Sequence, residues 1–97
     1  MNLILTPSAL LSPHEHSVVI GQRAKKRRKY LKLSRATLAS MSGVSVPTIE
    51  RFESKGIATL HVILKLAYAL GSNKDFEIIF THTEYRSIDE FLKADEG

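Results

Sequence analysis

The chain has 97 residues, of which 43% are hydrophobic and 25% charged, so it has room for one small folded domain and a short appendage. The absence of cysteine excludes a disulfide framework, an iron–sulfur cluster and cysteine-ligated zinc. No apolar run approaches the roughly 20 residues that span a bilayer, and the N-terminus lacks the cationic start of a signal peptide, so we expect a cytoplasmic protein without membrane contact.

The formal net charge of +4 is distributed unevenly along the chain. Residues 1–71 carry a net charge of +8, whereas residues 72–97 carry −4. Between Ser17 and Ile49 there are eight Lys or Arg residues and no acidic residue. A basic body followed by an acidic tail predicts a domain that binds a polyanion and a tail with another task.

The residues from Ser12 to Glu15 are typical of a helix start, because they combine a serine N-cap, a proline at the first helical position and a glutamate at the third. The first helix is predicted to end near Leu31. Its inward face should consist of Ile20, Ala24, Arg28 and Leu31. An arginine among apolar positions needs a partner if it is buried.

Two short helices hinged at a glycine follow. Ser34 is predicted to cap a helix that ends near Ser42, and Gly43 supplies the positive φ of a tight turn. Ser45 should then cap a third helix that runs from Val46 to about Ser54, and Gly56 should close that helix as its C′ residue. In a basic chain, this arrangement is typical of proteins that place the second helix of the pair in the major groove of DNA.

A fourth helix is predicted from the Thr59 cap to Gly71. It should supply most of the remaining core through Leu60, Ile63, Leu64, Leu66, Ala67 and Leu70. Asp75–Phe80 can form a fifth helix or a short strand, and the pattern favours the helix. We therefore divide the chain into an N-terminal extension (1–11), a domain (12–80) and an acidic C-terminal segment (81–97) that can form a short helix.

Five groups of residues occur in register with a known family: Leu38-Ala39, Gly43-Val44-Ser45, Thr48-Ile49, Phe52-Glu53 and Leu66 to Gly71. On these residues, positions 20–71 resemble the five-helix, all-α DNA-binding domain of the Cro/C1 type, also called the XRE helix-turn-helix family. The resemblance implies a homodimer that binds a palindromic operator in double-stranded DNA.

The tail after Gly71 is similar to that of HipB-like antitoxins, through Asp75–Phe80 and Arg86–Leu92. That similarity implies a repressor of its own operon that binds a HipA-like kinase toxin. The residues expected to contact a second subunit or another partner are Phe76, Ile79, Phe80, Ile88, Phe91 and Leu92.

The Cro/C1 resemblance also implies phosphate contacts. Arg35 occupies the first position of the second helix, where the family usually has a glutamine that contacts a phosphate. Lys32 and Lys55 are further expected cation contacts. Ser45 should cap the third helix and can also donate to a phosphate.

Base readout is expected from the start of the third helix. Val46 and Pro47 depart from the family pattern because they offer only apolar contact, for instance to a thymine methyl group. Polar readout therefore falls on Thr48 and on Arg51, which is the preferred candidate for a bidentate contact to guanine. Phosphate binding is the alternative role for Arg51.

Arg28 and Glu53 occupy positions that form a buried ion pair in the Cro/C1 family, and the alternative for Arg28 is a DNA contact. We expect no metal site at His14 and His16, because residues two apart on a helix face different ways. No cofactor is expected either.

Other functional classes fit less well. No glycine-rich phosphate loop or convergent acid–base set indicates an enzyme. Aromatic residues make up 7% of the chain, and none is interleaved with the basic block to stack unpaired RNA bases. A free-standing regulator without a toxin and an adaptor that holds protein partners remain open alternatives.

Overall fold

The structure is a computed structural model that describes residues 10–82. Within that range four α-helices follow one another: Pro13–Tyr30 (α1), Arg35–Ser42 (α2), Val46–Lys55 (α3) and Leu60–Ala69 (α4). A 3-10 helix, Asn73–Phe76, comes next, and residues 10–82 contain no strand. No helix among these residues is long and apolar enough to cross a membrane. The interpretations of residues 1–9 and of Ile88, Phe91 and Leu92 fall outside the described residues.

Each α-helix begins at the hydroxyl residue predicted to cap it. Ser12, Ser34, Ser45 and Thr59 each accept a hydrogen bond from the backbone N–H three residues later. At Ser12 the capping box is complete, because the Glu15 carboxylate accepts from the Ser12 N–H at 3.0 Å. These bonds satisfy donors that have no partner within the helix, which explains why the helices begin at these residues.

The core lies between the buried side of α3 and the helices α2 and α4. It consists of Leu38, Val44, Ile49, Phe52, Leu66 and Leu70. Two residues that were predicted to lie in the core do not: Leu31 is 37% exposed and Leu60 is 63% exposed. Leu31 is the C-cap residue of α1 and Leu60 is the first residue of α4. Both therefore lie at helix ends, beyond the faces that pack together. The fully buried residue of α1 is Val19, next to the predicted Ile20, which is only partly buried.

The fifth helix predicted for Asp75–Phe80 is not formed. After the 3-10 turn at Asn73–Phe76 the chain continues in turns, with i→i+3 bonds such as Ile79 N to Phe76 O at 3.4 Å. The 3-10 helix has no side-chain cap, and Phe80 has a φ of 59°, which an aromatic residue rarely adopts. So short a segment cannot recover the cost of nucleating an α-helix. The alternative of a strand is also wrong.

Two glycines allow α1 and α3 to cross at close range. A Cβ on Gly21 would overlap the carbonyl oxygen of Phe52, and one on Gly56 would overlap the Ser17 carbonyl group. Gly56 also has a φ of 68° and ends α3, as the sequence predicts. The crossing fixes α3 directly against the backbone of α1.

Candidate nucleic-acid interface

The third helix, α3, buries one side and exposes the other. Its buried residues are Ile49, Phe52 and Glu53. Its exposed residues are Pro47, Glu50, Arg51, Ser54 and Lys55. Residues three and four apart lie on one side of a helix, so Pro47, Arg51 and Ser54 form a continuous row. We call these five exposed residues the recognition face.

The first turn of α3 is held by its own hydroxyl groups. Ser45 Oγ lies 2.8 Å from Thr48 Oγ1 and also accepts from the Thr48 N–H at 3.3 Å. Thr48 is half-buried, as is Val46, whereas Ser45 and Pro47 are exposed. A base contact from the Thr48 hydroxyl would therefore compete with its bond to Ser45. Pro47 presents its ring to solvent without such competition.

Glu53 accepts hydrogen bonds from two arginines of two other helices. Arg28 Nε donates to Glu53 Oε2 at 2.7 Å and Arg28 Nη2 to Oε1 at 3.1 Å, while Arg28 Nη1 donates to the carbonyl oxygen of Leu33 at 2.8 Å. Arg28 is 6% exposed and Glu53 is 3% exposed. The structure thus brings together the pair that the sequence suggested, and every nitrogen of the Arg28 guanidinium bonds within the protein. This burial argues against a DNA contact by Arg28.

Arg35 is the second partner of Glu53. Its Nε donates to Glu53 Oε1 at 3.0 Å, and its side chain remains 35% exposed. Arg35 was expected to contact a phosphate, and its bond to Glu53 was not predicted. One feature of the sequence could have indicated it: Glu53 is one of only two acidic residues between Glu15 and Asp75, so few carboxylates are available to the cations of this region. The bond uses Nε, and the two terminal amino groups provide further donors for a phosphate.

Glu53 stays ionised despite its burial. Burial by itself raises the pKa of Glu53, but the hydrogen bonds and positive charges of Arg28 and Arg35 outweigh that effect and hold the pKa below its ordinary value. The three side chains therefore carry a net charge of +1 at neutral pH. This cluster, Arg28–Glu53–Arg35, joins α1, α2 and α3.

Much of the basic block Lys25–Lys29 has a structural role. In addition to the buried Arg28, Arg27 donates from Nε to the carbonyl oxygen of Leu70 at 3.0 Å, at the end of α4. Its guanidinium also lies 5.7 Å from the centre of the Tyr30 ring. Two of the three central cations of this block therefore bond to other parts of the fold. Lys26 and Lys29 are exposed.

The two other cations expected at DNA lie at helix ends. Lys32 is exposed and follows Leu31, the C-cap residue of α1. Its φ of 58° is a left-handed conformation that non-glycine residues seldom adopt. Lys55 is the last residue of α3 and is exposed. Both are sterically accessible to a phosphate.

The expected partner contacts separate into two groups. Phe76 and Ile79 line a cleft of about 500 Å³ between α1, α4 and the 3-10 segment. Phe80 is 97% exposed, and Ile78, two residues before it, is 63% exposed. Apolar residues of the α-helices are exposed as well, since Met41 of α2 and Tyr68 of α4 are more than half exposed.

No metal site is evident among residues 10–82, where no three His, Asp or Glu side chains are grouped closely enough to hold an ion. His14 and His16 are the pair considered from the sequence, and His16 lies at the cleft that Phe76 and Ile79 also line.

Comparison with known families agrees with this geometry. A family model described as helix-turn-helix matches residues 25–76, which is more than half of the chain and includes α2, the turn and α3. No curated protein and no solved structure matches the chain significantly. With its glycine turn, its exposed recognition face and this match, the chain belongs to the Cro/C1-type (XRE) helix-turn-helix family of DNA-binding transcription regulators.

Proposed function

We propose that this protein is a homodimeric repressor that binds a palindromic operator, and that it is the antitoxin of a HipBA-like toxin–antitoxin pair that represses its own operon. The observation that carries the DNA-binding part is the recognition face of α3, together with the half-exposed Arg35 of α2, which is bonded to Glu53 of α3. The protein acts by binding and is not an enzyme.

In this mode α3 enters the major groove with its N-terminus first. Arg51, near the middle of the recognition face, reaches a guanine edge, and Pro47 makes an apolar contact one turn earlier. Phosphates on either side are bound by the cations Lys32, Arg35 and Lys55, and by Ser45 at the N-terminus of α3. The N-terminus of a helix favours a phosphate, because its free N–H groups and dipole both face the anion.

Arg51 provides the sharpest test of sequence readout. Arg51→Ala should weaken binding to the operator by about 1–3 kcal/mol and have little effect on a random duplex. Lys55→Ala is the matched control, because loss of a phosphate contact should weaken both duplexes equally. Both affinities can be measured by fluorescence anisotropy. Equal losses for Arg51→Ala on the two duplexes would make Arg51 a phosphate contact instead.

Two copies should bind one operator. A palindromic site needs two recognition helices about 34–36 Å apart on one side of the duplex. The exposed apolar residues Ile78, Ile79 and Phe80 are a suitable contact surface, because a soluble domain rarely leaves such a patch uncovered. A monomer at concentrations that saturate the operator, measured by analytical ultracentrifugation, would contradict the dimer.

The toxin partner is supported by the similarity of the tail to HipB-like antitoxins. We propose that the segment after Phe80 binds a HipA-like kinase. Truncation after Phe80 should abolish kinase binding and leave dimerisation and operator affinity intact. Unchanged kinase binding would remove this role for the tail.

Two other observations would favour the alternative functions. A gene neighbourhood without any kinase would favour a free-standing regulator, and absence of salt-sensitive duplex binding would favour an adaptor that holds protein partners.

A further inference from the structure

One carboxylate stands on a surface where DNA binding would disfavour it. Between Glu15 and Asp75 the sequence has only two acidic residues, Glu50 and Glu53. Glu53 is buried and bonded to two arginines, but Glu50 is exposed on the recognition face. Among residues 10–82, Glu50 makes no ion pair, whereas Arg28 and Arg35 both pair with Glu53.

The position of Glu50 has no evident structural purpose. Its backbone carbonyl accepts from Ser54 Oγ at 2.7 Å, a bond that any residue at this position could provide. It lies one turn after Val46 and shares a side of α3 with the exposed residues Pro47 and Ser54, which are three and four residues away. Glu50 also does not cap α3, because Ser45 is the N-cap residue of that helix.

Near DNA, such a carboxylate is repelled by the phosphates and is tolerated only where a base edge donates to it. In the major groove cytosine offers its N4 amino group, and Glu is a good acceptor for that donor. Adenine also has an amino group there, but its N7 acceptor lies beside it and repels a carboxylate. Cytosine is therefore the base that best compensates Glu50.

We propose that Glu50 is a specificity-determining residue that accepts a hydrogen bond from cytosine N4, at a base pair next to the one that Arg51 contacts. This inference rests on the proposed function. Glu50 acts in two ways at once, since it favours the cognate base and repels every duplex that offers no donor at that place. Specificity of this kind combines an attractive contact with a repulsive one.

The experiment selects duplexes from a randomised library with the full chain as wild type, Glu50→Gln and Glu50→Ala. The matched control is Glu77→Gln, the same chemical change at an exposed residue outside α3. Wild type and the control should select one cytosine in each half-site. In both Glu50 variants the preference for cytosine at that position should fall by about 5- to 150-fold. The base preferences at the other positions should be unchanged. Their affinity for random duplex should rise several-fold.

The outcomes separate the two proposals. If wild type selects no sequence, operator binding itself fails. If wild type selects a sequence and the Glu50 variants keep every preference, or lose affinity equally on all duplexes, the role of Glu50 is overturned while operator binding stands. Thermal unfolding should be the same for Glu50→Gln as for wild type, because the side chain is exposed and unpaired in the described fold.

Discussion

The first residue of α2, Arg35, donates from Nε to the buried Glu53 carboxylate of α3 at 3.0 Å. The two helices of the helix-turn-helix are therefore joined by an ion pair as well as by the Gly43 turn. Arg28 of α1 bonds to the same carboxylate, so one side chain of α3 fixes its orientation relative to both neighbouring helices. A phosphate held by Arg35 would be bound by a residue that is already oriented by the recognition helix.

Removal of Arg28 should destabilise the fold strongly. Arg28→Ala leaves the Glu53 carboxylate and the Leu33 carbonyl oxygen without their main donor, and we expect a loss of about 3–5 kcal/mol in the free energy of unfolding. Urea denaturation followed by circular dichroism measures this loss. Lys29→Ala, an exposed neighbour in the same helix, should change the stability by less than about 0.5 kcal/mol. A variant that unfolds like wild type but no longer binds DNA would place Arg28 at the phosphates.

Acid should weaken the fold through Glu53. Its pKa is lower in the folded protein than in the unfolded chain, where a glutamate has a pKa of about 4.3. The stabilisation is fully present above that pH and is lost as the pH falls through the folded pKa, because the unfolded chain takes up the proton first. Urea denaturation over a series of pH values below about 6 should show this decline.

The Arg35→Ala variant is the control for the acid effect. It removes one of the two cations that lower the Glu53 pKa and keeps the Arg28 bonds, so the decline should become shallower. Glu15, whose pKa is lowered by the backbone N–H of Ser12, contributes to the same decline and is unaffected by this change. An identical pH dependence in the two proteins would contradict the coupling of Arg35 to Glu53.

The close crossing of α1 and α3 depends on Gly21. In Gly21→Ala the new methyl group would overlap the Phe52 carbonyl oxygen, so α3 must move away from α1. Overpacking of this kind costs about 1–3 kcal/mol or more, although alanine is the better helix former by roughly 1 kcal/mol. Thermal unfolding should therefore show a clear loss of stability. The adjacent exposed Gln22→Ala should be neutral or slightly stabilising, and the same result for Gly21→Ala would disprove the tight crossing.

Operator affinity should depend steeply on salt. If each dimer neutralises roughly 6 to 8 phosphates, the logarithm of affinity should fall with the logarithm of salt concentration at a slope of about −5 to −7. Arg35→Ala should reduce the magnitude of that slope by about 2 per dimer, since it removes one phosphate contact from each subunit. Anisotropy titrations at several salt concentrations give both values. A slope near zero for wild type would rule out this binding mode.

Features that depend on residues close together in the chain could be predicted from the sequence. The four N-caps at Ser12, Ser34, Ser45 and Thr59 were predicted correctly because each needs only a hydroxyl and an N–H three residues later. The Gly43 and Gly56 turns were also predicted, because a positive φ is a local requirement that glycine meets at low cost. These local signals, in register, were sufficient to identify the helix-turn-helix.

Apart from the Arg28–Glu53 pair, which the family resemblance implied, the contacts between side chains of different helices could not be predicted from the sequence. Arg35 reaches Glu53, and Gly21 lies against Phe52, because α1, α2 and α3 converge at angles that no periodicity in one helix encodes. The same reason explains the wrong helix at Asp75–Phe80, where the apolar spacing suits an α-helix but the short uncapped segment forms turns. Local hydrogen bonds can be predicted from neighbouring residues, whereas contacts between distant residues depend on the packing of the whole fold.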